Sequence, residues 1–168
     1  MKTLFASLLI LFMSATAMAQ TKVGTVDSDY ILGSLPELDS IQGSIKDYGG
    51  ELDKQFQEMV GNYQEKVKAF QALSDTVNAS NRKAKQDVIV GLEDDIQKFR
   101  QNSQQLIQIR RNELMRPLYT KVGTAINAVA KEKGYTQVLT LGNGVAYFDP
   151  KFDLTQAVAD KLGVTLKE

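Results

Sequence analysis

Residues 38–70 read LDSIQGSIKDYGGELDKQFQEMVGNYQEKVKAF, and the spacing of their apolar side chains decides the fold. Leu38, Ile41, Ile45, Tyr48, Leu52, Phe56, Met59, Tyr63, Val67 and Phe70 recur every three or four positions, a mean step of about 3.6 residues. That period belongs to a helix with one narrow apolar stripe. Ser34 and Glu37 stand at capping-box spacing ahead of it, with Pro36 in the expected first turn.

A second stripe follows in Val88, Leu92, Ile96, Phe99, Leu106, Ile109 and Leu114. Between the two lies Ser74-Asp75-Thr76-Val77-Asn78-Ala79-Ser80-Asn81, a run of turn formers. The stripes mirror each other. Val67 with Val88, Tyr63 with Leu92, Met59 with Ile96, Phe56 with Phe99 and Ile41 with Leu114 share one midpoint, between Val77 and Asn78. Two helices folded back on a common bend must obey this relation, and unrelated helices need not. The prediction is an antiparallel coiled-coil hairpin over 37–116 with its tip near 75–81, each arm about 50–55 Å long.

Working outward, the N-terminus reads as an export signal. Lys2 supplies the charge, Leu4 to Met13 the apolar segment, and Ala17-Met18-Ala19 the small-x-small cleavage site. That apolar run is about half the ~20 residues needed to cross a bilayer, so residues 1–19 are expected to be a signal peptide cleaved after Ala19. The chain carries 20 basic and 20 acidic residues, and loss of Lys2 leaves a net charge of −1. A general nucleic-acid binder would be clearly basic.

Cysteine, histidine and tryptophan are absent. No disulfide, no Ser-His or Cys-His pair and no common zinc site can be built from these residues. The acidic residues are spread along helices as a solvated face, and Gly142-Asn143-Gly144 lacks the third glycine and following helix of a phosphate loop. The reading is therefore a non-enzymatic protein without a cofactor.

The flanks, 20–36 and 117–168, read as a small β-sheet body. Pro117 interrupts the helical pattern and is expected to kink or break it where hairpin meets body. Leu118, Val122, Ile126 and Val129 continue a stripe that stops at Gly134. Tyr135 to Leu141 and Val145 to Phe148 look like strands around the Gly-Asn-Gly turn, with Val23 to Val26 as a third. Asp153 and Gln156 are placed to cap a last helix carrying Leu154, Val158 and Leu162. So small a body is marginal alone and its sheet edges are open. Val23, Val26, Val138, Leu139, Val145, Tyr147 and Phe148 are accordingly expected to assemble it with other copies. The fold class is α+β, mostly helical: a long hairpin prong on a sheet body.

Three other features stand out. Val60, Ile89, Val90 and Ile107 fall just beside the seam and are candidates for a weak, extended client-contact surface. Residues 66–86 hold Lys66, Lys68, Arg82, Lys83 and Lys85 against Asp75, a net +4, whereas 37–65 carry seven acids against two lysines, a net −5. Gly49-Gly50, with Gly43 and Gly61 nearby, marks a candidate hinge in the first arm.

Val23-Gly24-Thr25-Val26-Asp27 with Tyr30-Ile31-Leu32, the tract Val129 to Tyr135, and the tail Tyr147 to Thr155 with Val158 and Leu162 together resemble the Skp/OmpH-like periplasmic chaperones. Pro117 in Leu114-Met115-Arg116-Pro117-Leu118 is a frequent feature there. The resemblance spans nearly the whole mature chain. It implies a homotrimer whose sheets meet in a central barrel and whose prongs enclose a cavity. Unfolded outer-membrane proteins would be held there, in the periplasm, without ATP and without catalytic residues. The better-known members are strongly basic whereas this chain is neutral, a departure from the family pattern that makes the basic tip only a candidate for contact with lipopolysaccharide or anionic lipid. Two other readings fit the same residues: an envelope adaptor whose prongs grip a folded partner, and a lipid or lipopolysaccharide binder acting mainly through the tip.

Overall fold

The computed structural model describes residues 21–73, 78–142 and 144–166. The expected signal peptide and cleavage site, residues 74–77 and residue 143 lie outside the described residues. The element order is β1 (Val23–Val26), α1 (Ser28–Ser34), α2 (Glu37–Gln71), α3 (Ala79–Glu132), β2 (Gln137–Thr140), a 3₁₀ turn (Pro150–Phe152) and α4 (Thr155–Leu162). They form two compact units. One runs from Pro36 to Leu118; the other joins the residues up to Leu35 with those from Tyr119 onward.

The first of these units is two long helices. Every residue of the first-arm stripe, Leu38 through Phe70, is buried or half-buried on α2, and Leu52 is the most hidden at 6% exposed. The second arm differs from expectation. Val88, Leu106 and Ile109 are exposed, while Ile89, Ser103 and Ile107 face inward between Leu92, Ile96, Phe99 and Leu114. The inward face advances through 89, 92, 96, 99, 103 and 107, in steps of three or four. Ser103, being polar, is invisible to a count of apolar residues. Its hydroxyl donates to the Phe99 carbonyl at 2.7 Å, so the half-buried group is satisfied within its own helix.

Two cross-seam contacts hold the mirror relation to within half a residue. Tyr63 pairs with Glu93, and Gly49 lies 4.0 Å (from an added Cβ) from Ile107 Cδ1; both pairs are centred on Asn78. Asn78 itself starts α3: its side chain accepts from Ser80 N–H at 2.9 Å and its carbonyl from Asn81 and Arg82 N–H.

The capping box expected at Ser34 does not start α2, and of the kink or break expected at Pro117 the break is excluded. Ser34 closes α1, its hydroxyl donating back to the Tyr30 carbonyl, and α2 starts after Pro36 with no side-chain cap. Ser34 belongs to α1, and Pro36 takes the cap position of α2. Pro117 does not break the helix, since α3 runs through it to Glu132. Proline deprives the Glu113 carbonyl of its partner. Both residues are exposed, so water can take that place.

In the other unit β1 and β2 pair in parallel, Val23 opposite Gln137 through Val26 opposite Thr140. The hairpin around Gly-Asn-Gly is not formed: among the described residues 145–148 carry no strand, and the sheet has two strands. Val145 N–H bonds the Gly142 carbonyl and closes the turn on itself, while Leu141 N–H goes to the Val26 carbonyl. The far edge of β1 is bridged by Asp153, with Leu154 N–H on the Thr25 carbonyl at 2.8 Å.

α1 was not evident in the sequence. Asp27 caps it by accepting Tyr30 N–H at 2.9 Å, and Ile31, Leu32 and Leu35 bury its inner side. The core there is Val26, Ile31, Leu35, Val122, Val129, Leu154 and Val158, each 2% exposed or less. At 1% exposed, Val26 is a core residue of this unit rather than a surface for another copy. Asp153 accepts from Thr155 N–H and hydroxyl, and that hydroxyl in turn accepts Asp27 N–H at 2.8 Å. One side-chain cluster thus fixes the start of α4 against the end of β1.

Candidate functional site

The hairpin unit carries shallow cavities along the line where α2 and α3 meet. One, of about 280 Å³, is floored by Leu52, Phe56 and Ile107 and bordered by Asp53, Arg100 and Gln104. A second, of about 470 Å³, is floored by Phe56, Val60 and Ile96 and bordered by Gln64, Glu93 and Gln97. Phe56 and Arg100 border both. A third hollow, also of about 280 Å³, is lined by Gln97, Arg100, Gln101 and Gln104.

The seam is narrow, so these cavities follow from geometry. Two helices in contact bury one strip each, and side chains beside it stay half-exposed. Gly49 has no side chain and Ser103 a small one, which leaves the first cavity open over Leu52 and Ile107. Tyr63 closes the far end of the second: its hydroxyl donates to Glu93 at 2.5 Å, and that bond raises the Tyr63 pKa above its ordinary value.

Of the four candidate contact residues, Val60 and Ile107 line these cavities, and both are half-buried. Ile89 faces the seam, and Val90, half-exposed, borders none of them. The amide-bearing rim escaped notice in the sequence. Glutamines on a solvated helix look like solubilising residues, and only the position of α2 makes Gln97 and Gln104 the edge of a groove.

At the distal end of the hairpin a cavity of about 300 Å³ has an apolar floor of Ala69, Phe70, Ala84 and Val88, with Lys66 and Lys85 on its rim. Arg82 lies over the Phe70 ring, 5.6 Å from its centroid, a cation–π placement. Lys83 meets Asp87 at 3.5 Å on the open surface. The structure therefore draws Lys66 and Lys85 together, one from each helix, while Lys68 lies apart from the cavity.

In the sheet unit, Val23, Leu139 and Tyr147 are exposed, Tyr147 at 83%, and Val138, Val145 and Phe148 are half-buried. Gly24 is packed so closely that an added Cβ would sit 2.8 Å from the Tyr135 ring. Lys22 reaches over that ring, 4.1 Å from its centroid, and donates to the Lys133 carbonyl at 2.8 Å. Among the described residues no cluster of carboxylates is arranged to hold a metal ion, and no helix is long and apolar enough to cross a membrane.

The family model for outer membrane protein (OmpH-like) matches residues 22–162. The chain belongs to the OmpH-like family. Its similarity to curated proteins is spread over almost the full length. It is 29% identical to the chaperone protein Skp of Yersinia enterocolitica over 94% of this chain and 96% of that one. Against the chaperone protein Skp of Pectobacterium atrosepticum it is 28% identical, over 89% and 90%. The relatives so named are chaperones rather than enzymes. A crystal structure of an OmpH-like chaperone from Caulobacter crescentus superposes with a TM-score of 0.68, over 86% of this chain and 85% of that one. At 17% identity that likeness establishes the shared fold: long helices with a small sheet.

Proposed function

We propose that this OmpH-like protein is an ATP-independent periplasmic holdase. In this reading it is exported with its leader removed after Ala19 and keeps unfolded outer-membrane proteins soluble between the hairpins of a homotrimer. The observation that carries the reading is the hairpin surface. Only Leu52 is fully buried on the whole of α2, and half-exposed apolar residues continue along both sides of the seam.

Such a surface offers many weak contacts and no tight one. A chaperone that lacks a nucleotide cycle needs this, because its client must leave unaided. Weak contacts hold well only when several act together, and repeating the hairpin around an assembly raises their effective concentration. The β2 edge away from β1 is unpaired among the described residues, and exposed Leu139 and Val23 lie on the same small sheet. Pairing there with other copies would form the assembly and remove the open edge.

The test is the aggregation of a denatured outer-membrane β-barrel protein, followed by light scattering without nucleotide. The full protein should suppress it at stoichiometric amounts, and the isolated hairpin, residues 37–116, should not. Suppression by the monomeric hairpin equal to that by the full protein would overturn the cavity mechanism in favour of an adaptor.

A second reading, binding of lipopolysaccharide or anionic lipid, is favoured by one specific feature. Lys66 and Lys85 flank an apolar cavity, an arrangement suited to an amphiphile with a negative headgroup.

A further inference from the structure

We propose that the two cavities shared by Phe56 and Arg100 form one groove that holds an extended, non-acidic stretch of polypeptide. Its apolar side chains enter the cavities and its backbone lies against glutamine carboxamides. The inference rests on the chaperone reading and specifies how the hairpin grips its client.

The spacing suits an extended chain. Leu52 and Val60 mark the floors of the two cavities on α2, and eight residues of helix span about 12 Å. In an extended chain, side chains on one side recur about every 6.8 Å, so residues four apart are about 14 Å apart. Two apolar residues in that relation reach both cavities at once. Volumes of about 280 and 470 Å³ seat single side chains and are divided by Phe56 and Arg100. A helical ligand would instead need one continuous trough about 10 Å across.

The rim suits a backbone. Gln64 stands on α2, and Gln97, Gln101 and Gln104 follow at helical spacing on α3. A carboxamide both donates and accepts, so it pairs with peptide N–H and C=O groups whatever side chains they carry. Sequence-blind holding of an unfolded chain requires that property. Lysine or glutamate at the same places would supply only half of it.

The charges also exclude an acidic occupant. Arg100 is the single cation shared by the cavities, and Asp53 and Glu93 lie toward opposite ends. Tyr63 donates to Glu93 without neutralising it, so the lining carries one cation against two anions and disfavours an acidic strand. An anionic headgroup would meet two carboxylates here, whereas the lysines at the tip impose no such penalty.

The test uses the full-length protein and a short, uncharged, dye-labelled peptide of serine and threonine with two leucines four places apart, followed by fluorescence anisotropy. A peptide of the same composition with one leucine moved by a single place, so that the two point to opposite sides, should bind about fivefold more weakly. Gln97→Met with Gln104→Met keeps the rim's length but removes its hydrogen bonds, and should weaken the first peptide about tenfold. Val60→Ser should weaken it as well, and Val90→Ser should not. Equal binding of the two peptides, or undiminished binding by the methionine variant, would overturn the groove in favour of a merely greasy surface. If those variants bind peptide normally while the parent still suppresses aggregation of a denatured barrel protein, the groove falls and the chaperone reading stands. A parent protein that suppresses no aggregation would bring down both.

Discussion

Tyr63 on α2 donates its hydroxyl hydrogen to Glu93 on α3, and the two lie equally far from Asn78 at the turn. In a hairpin closed by so few buried side chains, this polar bond fixes register as well as adding affinity between the arms. Apolar side chains tolerate sliding by a turn, whereas a directional hydrogen bond between these two residues is lost by it.

That bond makes the hairpin sensitive to alkali. The Tyr63 pKa is raised above 10.0, chiefly because its proton is held by Glu93. A group with a raised folded pKa contributes fully below its unfolded value, and the contribution is lost as pH rises through the folded one. Helix stability should therefore be flat through neutrality and fall above pH 10.0. Tyr63→Phe should abolish the Tyr63-dependent part of that fall, as read by circular dichroism across an alkaline titration.

Register can be tested directly. With Met59→Cys and Ile96→Cys in one chain, mild oxidation should form an intramolecular disulfide readily. Moving the second cysteine by a turn, to Arg100→Cys, should slow the reaction severalfold. Preference for the shifted pair, judged on non-reducing gels, would displace the mirror axis from Asn78.

Gly49 and Gly50 have room for a side chain. An added Cβ at Gly49 makes only ordinary contact with Ile107 Cδ1, and one at Gly50 meets nothing within 4 Å. Gly49→Ala with Gly50→Ala should stabilise α2 by about 1 kcal/mol per site. If the pair is a soft point that lets the hairpin adapt to clients, amide exchange across 45–55 should slow and the range of accepted client sizes should narrow. Unchanged exchange leaves the pair without a hinge role.

At the tip, changing Lys66, Lys68, Arg82, Lys83 and Lys85 to glutamine should remove binding to vesicles containing anionic lipid. Binding by the parent should weaken as salt rises, since exposed charges are screened beyond about 8 Å at physiological ionic strength. Equal vesicle binding by the neutralised variant would leave the tip a solubility role only.

Gly24→Ala probes the sheet unit. Its Cβ would stand 2.8 Å from the Tyr135 ring and 3.2 Å from the Phe152 carbonyl oxygen, and the latter belongs to the backbone and cannot swing aside. The substitution should cost about 1–3 kcal/mol. Gly123→Ala, where nothing lies within 4 Å, should not destabilise. Thermal unfolding of the two variants separates close packing from a general effect of losing a glycine.

The sequence by itself determined the hairpin. A stripe from Leu38 to Phe70 has a period that only a helix can use, and its mirror image from Val88 to Leu114 needs a partner folded back on it. Local chemistry sufficed too for the Gly134 stop, which takes positive φ, and for the carboxylate of Asp153 at the start of α4. Tertiary structure decided what the pattern left degenerate. Val88 and Ile89 are adjacent and equally apolar, and only the position of α2 chose Ile89 to face inward. Ser103 joined the seam because its neighbours did, and its hydroxyl could be satisfied within its own helix. The sheet was beyond local reading for the same reason: β1 and β2 are more than a hundred residues apart and parallel, so neither strand shows in its own sequence which neighbour will take its hydrogen bonds. Gly-Asn-Gly suggested a hairpin because turn residues speak only for the chain beside them. The groove came last, since its floor and its glutamine rim belong to two helices and exist only where they meet.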